Sequence, residues 1–146
     1  MPDKACDSSE TIVRGILRAH WDEEKGEYTS SLFRGPNTSV SRLRIFPKER
    51  IIDIFKADFD AHIDGPVIGT GEIVIADLIK LGKEYKDGKG KPRPQLVTVI
   101  PKPTATNDSH AEVVEEFTRG FARKVIVALK KERLDGSPMP SPEEHS

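Results

Sequence analysis

The sequence contains a single cysteine, Cys6. One thiol cannot form a disulfide within the chain, and a zinc site built on two or more thiolates is excluded with it. Aromatic residues are few, at 6% of the chain, and Trp21 is the only tryptophan. No stretch approaches the roughly 18 consecutive apolar residues of a membrane-spanning helix. The first ten residues lack the pattern of a secretory signal, so we expect a cytoplasmic protein without membrane association.

An excess of charge of either sign is also missing. The chain carries 23 Lys and Arg against 24 Asp and Glu, a formal net charge of −1. This balance argues against a surface built entirely to bind nucleic acid, although it allows a local basic patch. With 36% hydrophobic and 32% charged residues, the composition is that of one globular domain. We expect a flexible lead over 1–10, a domain over 11–134 and a disordered tail, rich in Pro, Ser and Glu, over 135–146.

The spacing of apolar residues and turn signals predicts an α+β fold. Strands are predicted over 11–21, 27–33, 38–46, 71–76 and 95–100, and helices over 47–62, 77–85 and 110–133. The first segment also fits helical spacing, so a helix is its open alternative. We expect a mixed or antiparallel sheet of about five strands with three helices packed mostly on one face.

The stretch "NDSHAEVVEE", residues 107–116, suggests two different roles. His110 and Glu112 are spaced as in zinc-dependent deaminases, where the Glu activates a metal-bound water. Those enzymes need two further cysteine ligands, and no cysteine follows Cys6. Ser109 and Glu112 also have the spacing of a capping box, in which each side chain accepts a backbone amide of the other end of the turn. We therefore predict that Glu112 caps the helix over 110–133.

Residues 60–65, "DAHIDG", imitate the beginning of a calcium-binding loop. His62 stands in the third position, where the pattern needs Asp or Asn, and the twelfth position is Gly71 instead of Glu. We interpret the segment as the solvated end of a helix and predict no metal and no cofactor. A looser transition-metal site on His62 and its neighbouring carboxylates is the alternative.

Polar residues concentrate in the early strands around Trp21. The candidate catalytic residues are the hydroxyls and imidazoles His20, Ser30, Ser31 and His110. A small enzyme acting on a nucleotide-like or phosphorylated substrate would use such a histidine as acid or base, with Arg34 or Arg42 holding the anion. A catalytic triad needs an orienting acid as well, and the sequence places none. The plainer interpretation is a polar sheet surface with a half-buried Trp21.

The favoured hypothesis is a non-catalytic domain that binds a protein partner. Its binding surface would use Trp21, Arg34, Arg42 and Arg44, or the basic loop formed by Lys86, Lys89, Lys91 and Arg93. Residues 80–102 contain seven positive and two negative side chains, so sequence-independent nucleic-acid binding is a further alternative. Tyr85 is the only aromatic residue of this segment that could stack on a base.

Four short pieces of the sequence, "HW…SSLF…SVSRL…HAEV", together resemble a pattern of small bacterial proteins whose activity is uncharacterised. The pieces begin at His20, Ser30, Ser39 and His110. The resemblance implies a prokaryotic source. It implies no activity, cofactor or catalytic residue.

Overall fold

The structure is a computed structural model that describes residues 4–140. The strands are β1 (Thr11–Leu17), β2 (Trp21–Asp22), β3 (Glu27–Tyr28), β4 (Thr38–Arg42), β5 (Val67–Val74), β6 (Val99–Pro101), β7 (His110–Val113) and β8 (Lys130–Arg133). The helices are α1 (Lys48–Phe59), α2 (Ile75–Glu84) and α3 (Arg119–Ala128), with single 3-10 turns at Arg18–His20 and Ser30–Phe33. None of the helices within residues 4–140 is long and apolar enough to cross a membrane.

The predicted α+β class is confirmed. Six strands form one antiparallel sheet in the order β6-β7-β4-β1-β5-β8, and β2 and β3 form a separate two-stranded ribbon. The strand count therefore exceeds the expected five. Of the three helices, α2 and α3 pack on one face of the large sheet, and α1 packs on the other.

The central strand β1 supplies both cores, because successive side chains of a strand point to opposite faces. Ile12 and Ile16 enter the larger core beneath α2 and α3, whereas Val13 and Leu17 enter the smaller core beneath α1. Complete burial of such a side chain stabilises the fold by about 1.5–3 kcal/mol. The strand therefore holds the two layers together. Of the segment predicted over 11–21, Thr11–Leu17 form a strand and not the alternative helix, but the predicted strand is wrong beyond Leu17, where Arg18–His20 form a 3-10 turn.

The prediction of one helix over 110–133 is wrong. The segment instead forms strand β7, helix α3 and strand β8. Ala111 and Val113 are fully buried on one face of β7, while Glu112 lies on the other face and caps no helix. Thr118 is the actual cap of α3, since its side chain accepts the amide of Phe121. Pairing of β7 with β4, a contact far away in sequence, overrides the local capping pattern.

The strand predicted over 27–33 is also wrong beyond Tyr28. Ser30–Phe33 form a 3-10 turn in which both Leu32 and Phe33 are completely buried. Two consecutive side chains of a strand would point in opposite directions, so a turn is needed to bury both in the same core. This turn carries the backbone carbonyl of Leu32 towards β1.

Strand β5 begins at Val67, earlier than the predicted strand over 71–76, and α2 begins directly after it at Ile75. Gly69 allows close packing within the sheet. A Cβ atom on Gly69 would lie 2.5 Å from the carbonyl oxygen of Glu132 in β8. Glycine therefore allows the edge strand to approach, which explains why its presence does not interrupt the strand.

The chain on either side of the predicted domain also packs against it. The amide of Cys6 donates to the carbonyl oxygen of Val99 at 2.8 Å. Of the predicted tail, 135–140 folds back onto the domain, with Met139 only 8% exposed and the Tyr28 hydroxyl donating to the carbonyl of Pro140 at 2.6 Å. Burial of Met139 supplies the apolar contact that composition does not reveal. The rest of the predicted tail, 141–146, lies outside the described residues.

Candidate functional site

The two central strands β1 and β4 share a short ladder of only two residue pairs, Ile12 with Arg42 and Val13 with Ser41. Beyond this ladder, a side chain connects β1 to β4 through hydrogen bonds. The guanidinium of Arg14 donates from Nε to the carbonyl of Leu32 at 2.9 Å and from Nη1 to the carbonyl of Ser39 at 3.1 Å. The sheet is therefore held together at this point by an arginine.

A cleft of about 490 Å³ opens at this place, between the C-terminal half of α1, the β1–β4 junction and the loop before β7. Its polar lining includes Arg14, His20, Ser39, His62, Asn107 and His110. The apolar wall comes from Phe55 and Phe59 of α1. Small-molecule sites usually have volumes of about 300–1,000 Å³, so the cleft has a suitable size.

Gly15 fixes the distance between α1 and the sheet beside the cleft. A Cβ atom at this position would lie 3.1 Å from Cδ2 of Phe55. The phenylalanine ring therefore rests on the backbone of β1, and Phe55 is 6% exposed. A side chain at residue 15 would move the ring that forms the wall of the cleft.

Arg14 forms no ion pair with any carboxylate of residues 4–140. Both of its hydrogen bonds go to neutral carbonyl oxygens. Burial lowers the pKa of Arg14 to about 10, and the side chain is still charged at neutral pH. The cleft consequently contains a largely buried positive charge whose neutralising partner is not supplied by the described residues.

His20 adds a neutral donor next to this charge. Its ring is 8% exposed, and Nδ1 accepts the backbone amide of Leu17 at 3.0 Å. Burial, and secondly the positive charge of Arg14, lower the pKa of His20 to about 4, so the ring is neutral at pH 7. Because Nδ1 is an acceptor, the proton of the neutral ring must be on Nε2. This Nε2–H has no partner among the described residues.

The other two histidines of the cleft have defined tautomers for the same reason. Nδ1 of His110 lies 2.7 Å from the carbonyl oxygen of Lys102, which can only accept, so Nδ1 carries a proton. In the neutral ring, Nε2 of His110 is then an acceptor. Nδ1 of His62 instead accepts the amide of Asp64 at 3.1 Å, which places the proton of its neutral ring on Nε2. In the neutral rings, the cleft therefore offers two donors, Nε2–H of His20 and of His62, and one acceptor, Nε2 of His110.

Asn107 holds the loop next to His110. It is 5% exposed, its Nδ2 donates to the hydroxyl of Ser41 at 3.0 Å, and its Oδ1 accepts the amide of Ser109 at 3.0 Å. Ser109 thus belongs to a buried polar network instead of a helix cap. The network fixes the position of the side of the cleft formed by the loop and β7.

The structure brings together only part of the predicted catalytic set. His20 and His110 line the same cleft, but Ser30 and Ser31 lie in the 3-10 turn and line none of the cavities described here. Arg42, the predicted anion-binding residue, is bound by the carboxylate of Glu10 through two contacts of 2.7 and 2.8 Å. Arg34 and Arg44 are exposed and do not line the cleft.

Trp21 lines a different cavity, a groove of about 740 Å³ beside the end of β8. Its ring contacts Tyr28 edge to face, with the ring centroids 4.8 Å apart. The groove also contains Ile63, which is 93% exposed, and the buried Met139. This groove is larger than the cleft, and none of the four candidate catalytic residues lines it.

The basic loop is an ordered hairpin. Oδ1 of Asp87 accepts the amides of Lys89 and Lys91 at 2.9 and 3.0 Å, and Lys86 forms a bridge with Pro92. The four predicted binding residues Lys86, Lys89, Lys91 and Arg93 are all exposed. Tyr85 packs against Phe121 with ring centroids 5.3 Å apart, so its ring helps to close the core.

Sequence reasoning missed Arg14. The residue lies within "TIVRGIL", where it is the only charged side chain of a strand that is otherwise largely buried. A lone charge in such a strand is a usable signal, because burying it is unfavourable without a partner. Ser39 and Asn107 carried no comparable signal, since their position depends on which strands pair.

Within residues 4–140, no group of three or more His, Cys, Asp or Glu side chains is arranged to hold a metal ion. Comparison of the chain with protein-family models, curated proteins and solved structures finds no match. Of the residues in the "HW…SSLF…SVSRL…HAEV" pattern, His20, Ser39 and His110 line the cleft, and the carbonyl of Leu32 accepts a hydrogen bond from Arg14.

Proposed function

We propose that the protein binds a small polar molecule in the cleft between α1 and β4. The observation that carries the proposal is the convergence of His20, His62 and His110 on one cavity of about 490 Å³. Each ring has its Nδ1 atom fixed by the backbone, and each Nε2 atom has no partner among the described residues. Polar groups that are oriented but have no partner are a common feature of ligand sites.

Catalysis would require more of the histidines in the cleft than binding does. A general base must reach the proton that it removes, within about 3 Å, and must titrate near the working pH. His20 is poorly suited to that role, because its pKa is lowered to about 4. The cleft is better suited to recognition by fixed donors and acceptors, and the proposal is therefore limited to binding.

The experiment compares the cleft with the groove. A library of small polar fragments is added to isotope-labelled protein, and backbone amide shifts are followed by NMR. We expect saturable shifts at Gly15, Ser39 and His110. The variant Ser39→Phe should abolish binding by filling the cleft, whereas Ala19→Phe, which fills the groove, should leave it unchanged. Fragments that bind only around the groove, or equally well to Ser39→Phe, would contradict the proposal.

A second candidate function is the binding of a protein partner in the groove beside Trp21. Ile63 favours it, because this 93% exposed side chain lines the same groove as Trp21 and Ile68, and contiguous apolar surface is typical of interaction sites. The test places a photo-crosslinking amino acid at residue 63 in living cells, with position 89 as an exposed control. We expect a defined adduct from residue 63 alone. The same adducts from both positions, or none from residue 63, would contradict this candidate.

A further inference from the structure

We propose that the ligand of the cleft carries a compact oxyanion, a carboxylate or a phosphate, which binds to Arg14 and to the Nε2–H group of His20. This inference deepens the proposed function and rests on it, since it names the chemical class of the molecule that the cleft binds. It is carried by the charge of Arg14 and by the direction of the donors around it.

Arg14 brings a positive charge into the cleft. A buried charge is unfavourable unless an opposite charge compensates it. Arg42, on the neighbouring strand, follows this rule, because Glu10 contacts it through both carboxylate oxygens. Among residues 4–140, Arg14 has only the carbonyls of Leu32 and Ser39 as partners. An oxyanion in the cleft would supply the missing negative charge.

Arg14 and His20 also bring hydrogen-bond donors into the cleft. A guanidinium has five N–H donors. Arg14 uses one on Nε and one on Nη1, which leaves three, including both on Nη2, without a partner in the described part of the chain. His20 contributes a neutral Nε2–H, because burial and secondly the charge of Arg14 lower the pKa of its ring. Oxyanions are bound by such forked donors, through short charge-assisted hydrogen bonds. A ligand that offers only donors would leave these groups unsatisfied.

The carboxylates that line the cleft limit the size of the anion. Asp58 and Asp64 also line the cleft, and both are exposed. Their carboxylates oppose a large polyanion but are screened by water and salt more strongly than a buried charge. Nε2 of His110 is an acceptor and would take a hydrogen bond from a hydroxyl or amino group of the ligand. These features favour a small hydroxylated or aminated carboxylate or phosphate over a nucleic acid or a nucleoside triphosphate.

The test is an NMR titration with acetate, inorganic phosphate and neutral acetamide, each at constant ionic strength. We expect saturable shifts at Gly15, His20 and Ser39 with acetate or phosphate and none with acetamide. The stronger of the two anions identifies the source as carboxylate or phosphate. The variant Arg14→Gln should weaken binding by roughly tenfold or more, because hydrogen bonds to charged groups are the strong ones. Arg14→Lys keeps the charge without the fork, so it should weaken binding less.

Arg44→Gln is the matched control, since it removes the same charge from an exposed position outside the cleft, and it should bind the anions as the wild type does. Dispersed amide spectra show whether each variant is folded. If Arg14→Gln is not folded, Arg14→Lys replaces it in the comparison with the wild type. Equal binding by Arg14→Gln, or no saturable shift with either anion, would overturn the inference. A neutral fragment that binds the cleft when both anions fail would overturn the oxyanion while leaving the small-molecule site standing; failure of every molecule would overturn both.

Discussion

Two arginines lie on the neighbouring strands β1 and β4, at opposite ends of the short ladder that joins them: Arg42 belongs to one terminal pair, and Arg14 follows the other. At one end, Arg42 meets the carboxylate of Glu10, whose side chain is 3% exposed, and this contact raises the pKa of Arg42. At the other end, Arg14 meets only carbonyl oxygens among residues 4–140, and burial lowers its pKa to about 10. The described part of the chain neutralises the arginine at one end and supplies no counter-charge to the arginine at the other.

The difference indicates what each region does. A paired buried charge is part of the folded structure, and breaking it exposes the full unfavourable energy of the remaining charge. An unpaired one weakens the fold and persists where another interaction makes use of it. The Glu10–Arg42 end of the ladder therefore fixes the strands, while the Arg14 end is prepared for a ligand. Substitutions at the two ends should consequently have unequal effects.

The largest effect on stability is expected at the Glu10–Arg42 end of the ladder. Glu10→Gln should lower the free energy of unfolding by about 3 kcal/mol, because it leaves Arg42 without its counter-charge. Arg14→Gln should lower it by less than about 1 kcal/mol, since the loss of two hydrogen bonds is offset by removal of an unpaired charge. Urea unfolding at pH 7 measures both. If Arg14→Gln costs as much as Glu10→Gln, the contrast between the two regions fails.

The next effect is the response of His20 to acid. Its pKa is lowered from 6.5 to about 4 in the fold, so at pH values between these the unfolded chain binds a proton that the folded chain does not. The contribution of His20 to the free energy of unfolding is fully present above pH 6.5 and is lost as the pH falls towards 4. Between pH 6.5 and 4.5, wild type should lose about 2 kcal/mol more than His20→Asn. Parallel curves for the two proteins in urea unfolding would show that His20 titrates normally.

A smaller effect is expected from Gly15→Ala, which tests the wall of the cleft. The added Cβ atom would lie 3.1 Å from Phe55, so the ring must move, at a cost of about 1 kcal/mol. Gly88→Ala is the control, because no atom lies within 4 Å of a Cβ atom built there, and it should change stability by less than about 0.5 kcal/mol. Thermal unfolding compares the two. Equal melting temperatures would mean that α1 is not seated on β1 as described.

The smallest effect concerns Ile63 in the groove. Ile63→Ser should change the free energy of unfolding by less than about 0.5 kcal/mol, because a side chain that is 93% exposed contributes little burial. The same variant should leave binding of acetate or phosphate in the cleft unchanged. A loss of anion binding in Ile63→Ser, measured by the same NMR titration, would show that the groove and the cleft are one site.

The sequence permits prediction of the parts of the fold that depend on local patterning. The alternation around Arg42 predicts β4, and Pro47 with the apolar spacing after it predicts α1. The helix over 110–133 could not be excluded, because its apolar residues fit helical spacing and Ser109 fits a cap. The partner that makes β7 a strand lies about 70 residues earlier, and propensity does not reveal such a pairing.

The candidate site was predictable only in part, for a related reason. His20 and His110 could be selected as chemically capable side chains, but their shared cleft depends on β4 lying between β1 and β7. The sequence alone predicts that Arg42 can hold an anion, because it does not show that Glu10 folds back onto this arginine. Arg14 was overlooked because it lies inside an apolar strand. Its role depends on a ladder that ends after two pairs, and strand register is set by tertiary packing.

The most direct test of the central claim is the protonation of His20 in the folded protein, measured by long-range nitrogen–proton NMR with and without acetate or phosphate. Between pH 5.5 and 8 we expect a neutral ring with its proton on Nε2, and the anion should shift that nitrogen in wild type but not in Arg14→Gln. A proton on Nδ1, a charged ring at pH 6, or an Nε2 signal that no anion moves would contradict an anion site built on Arg14 and His20.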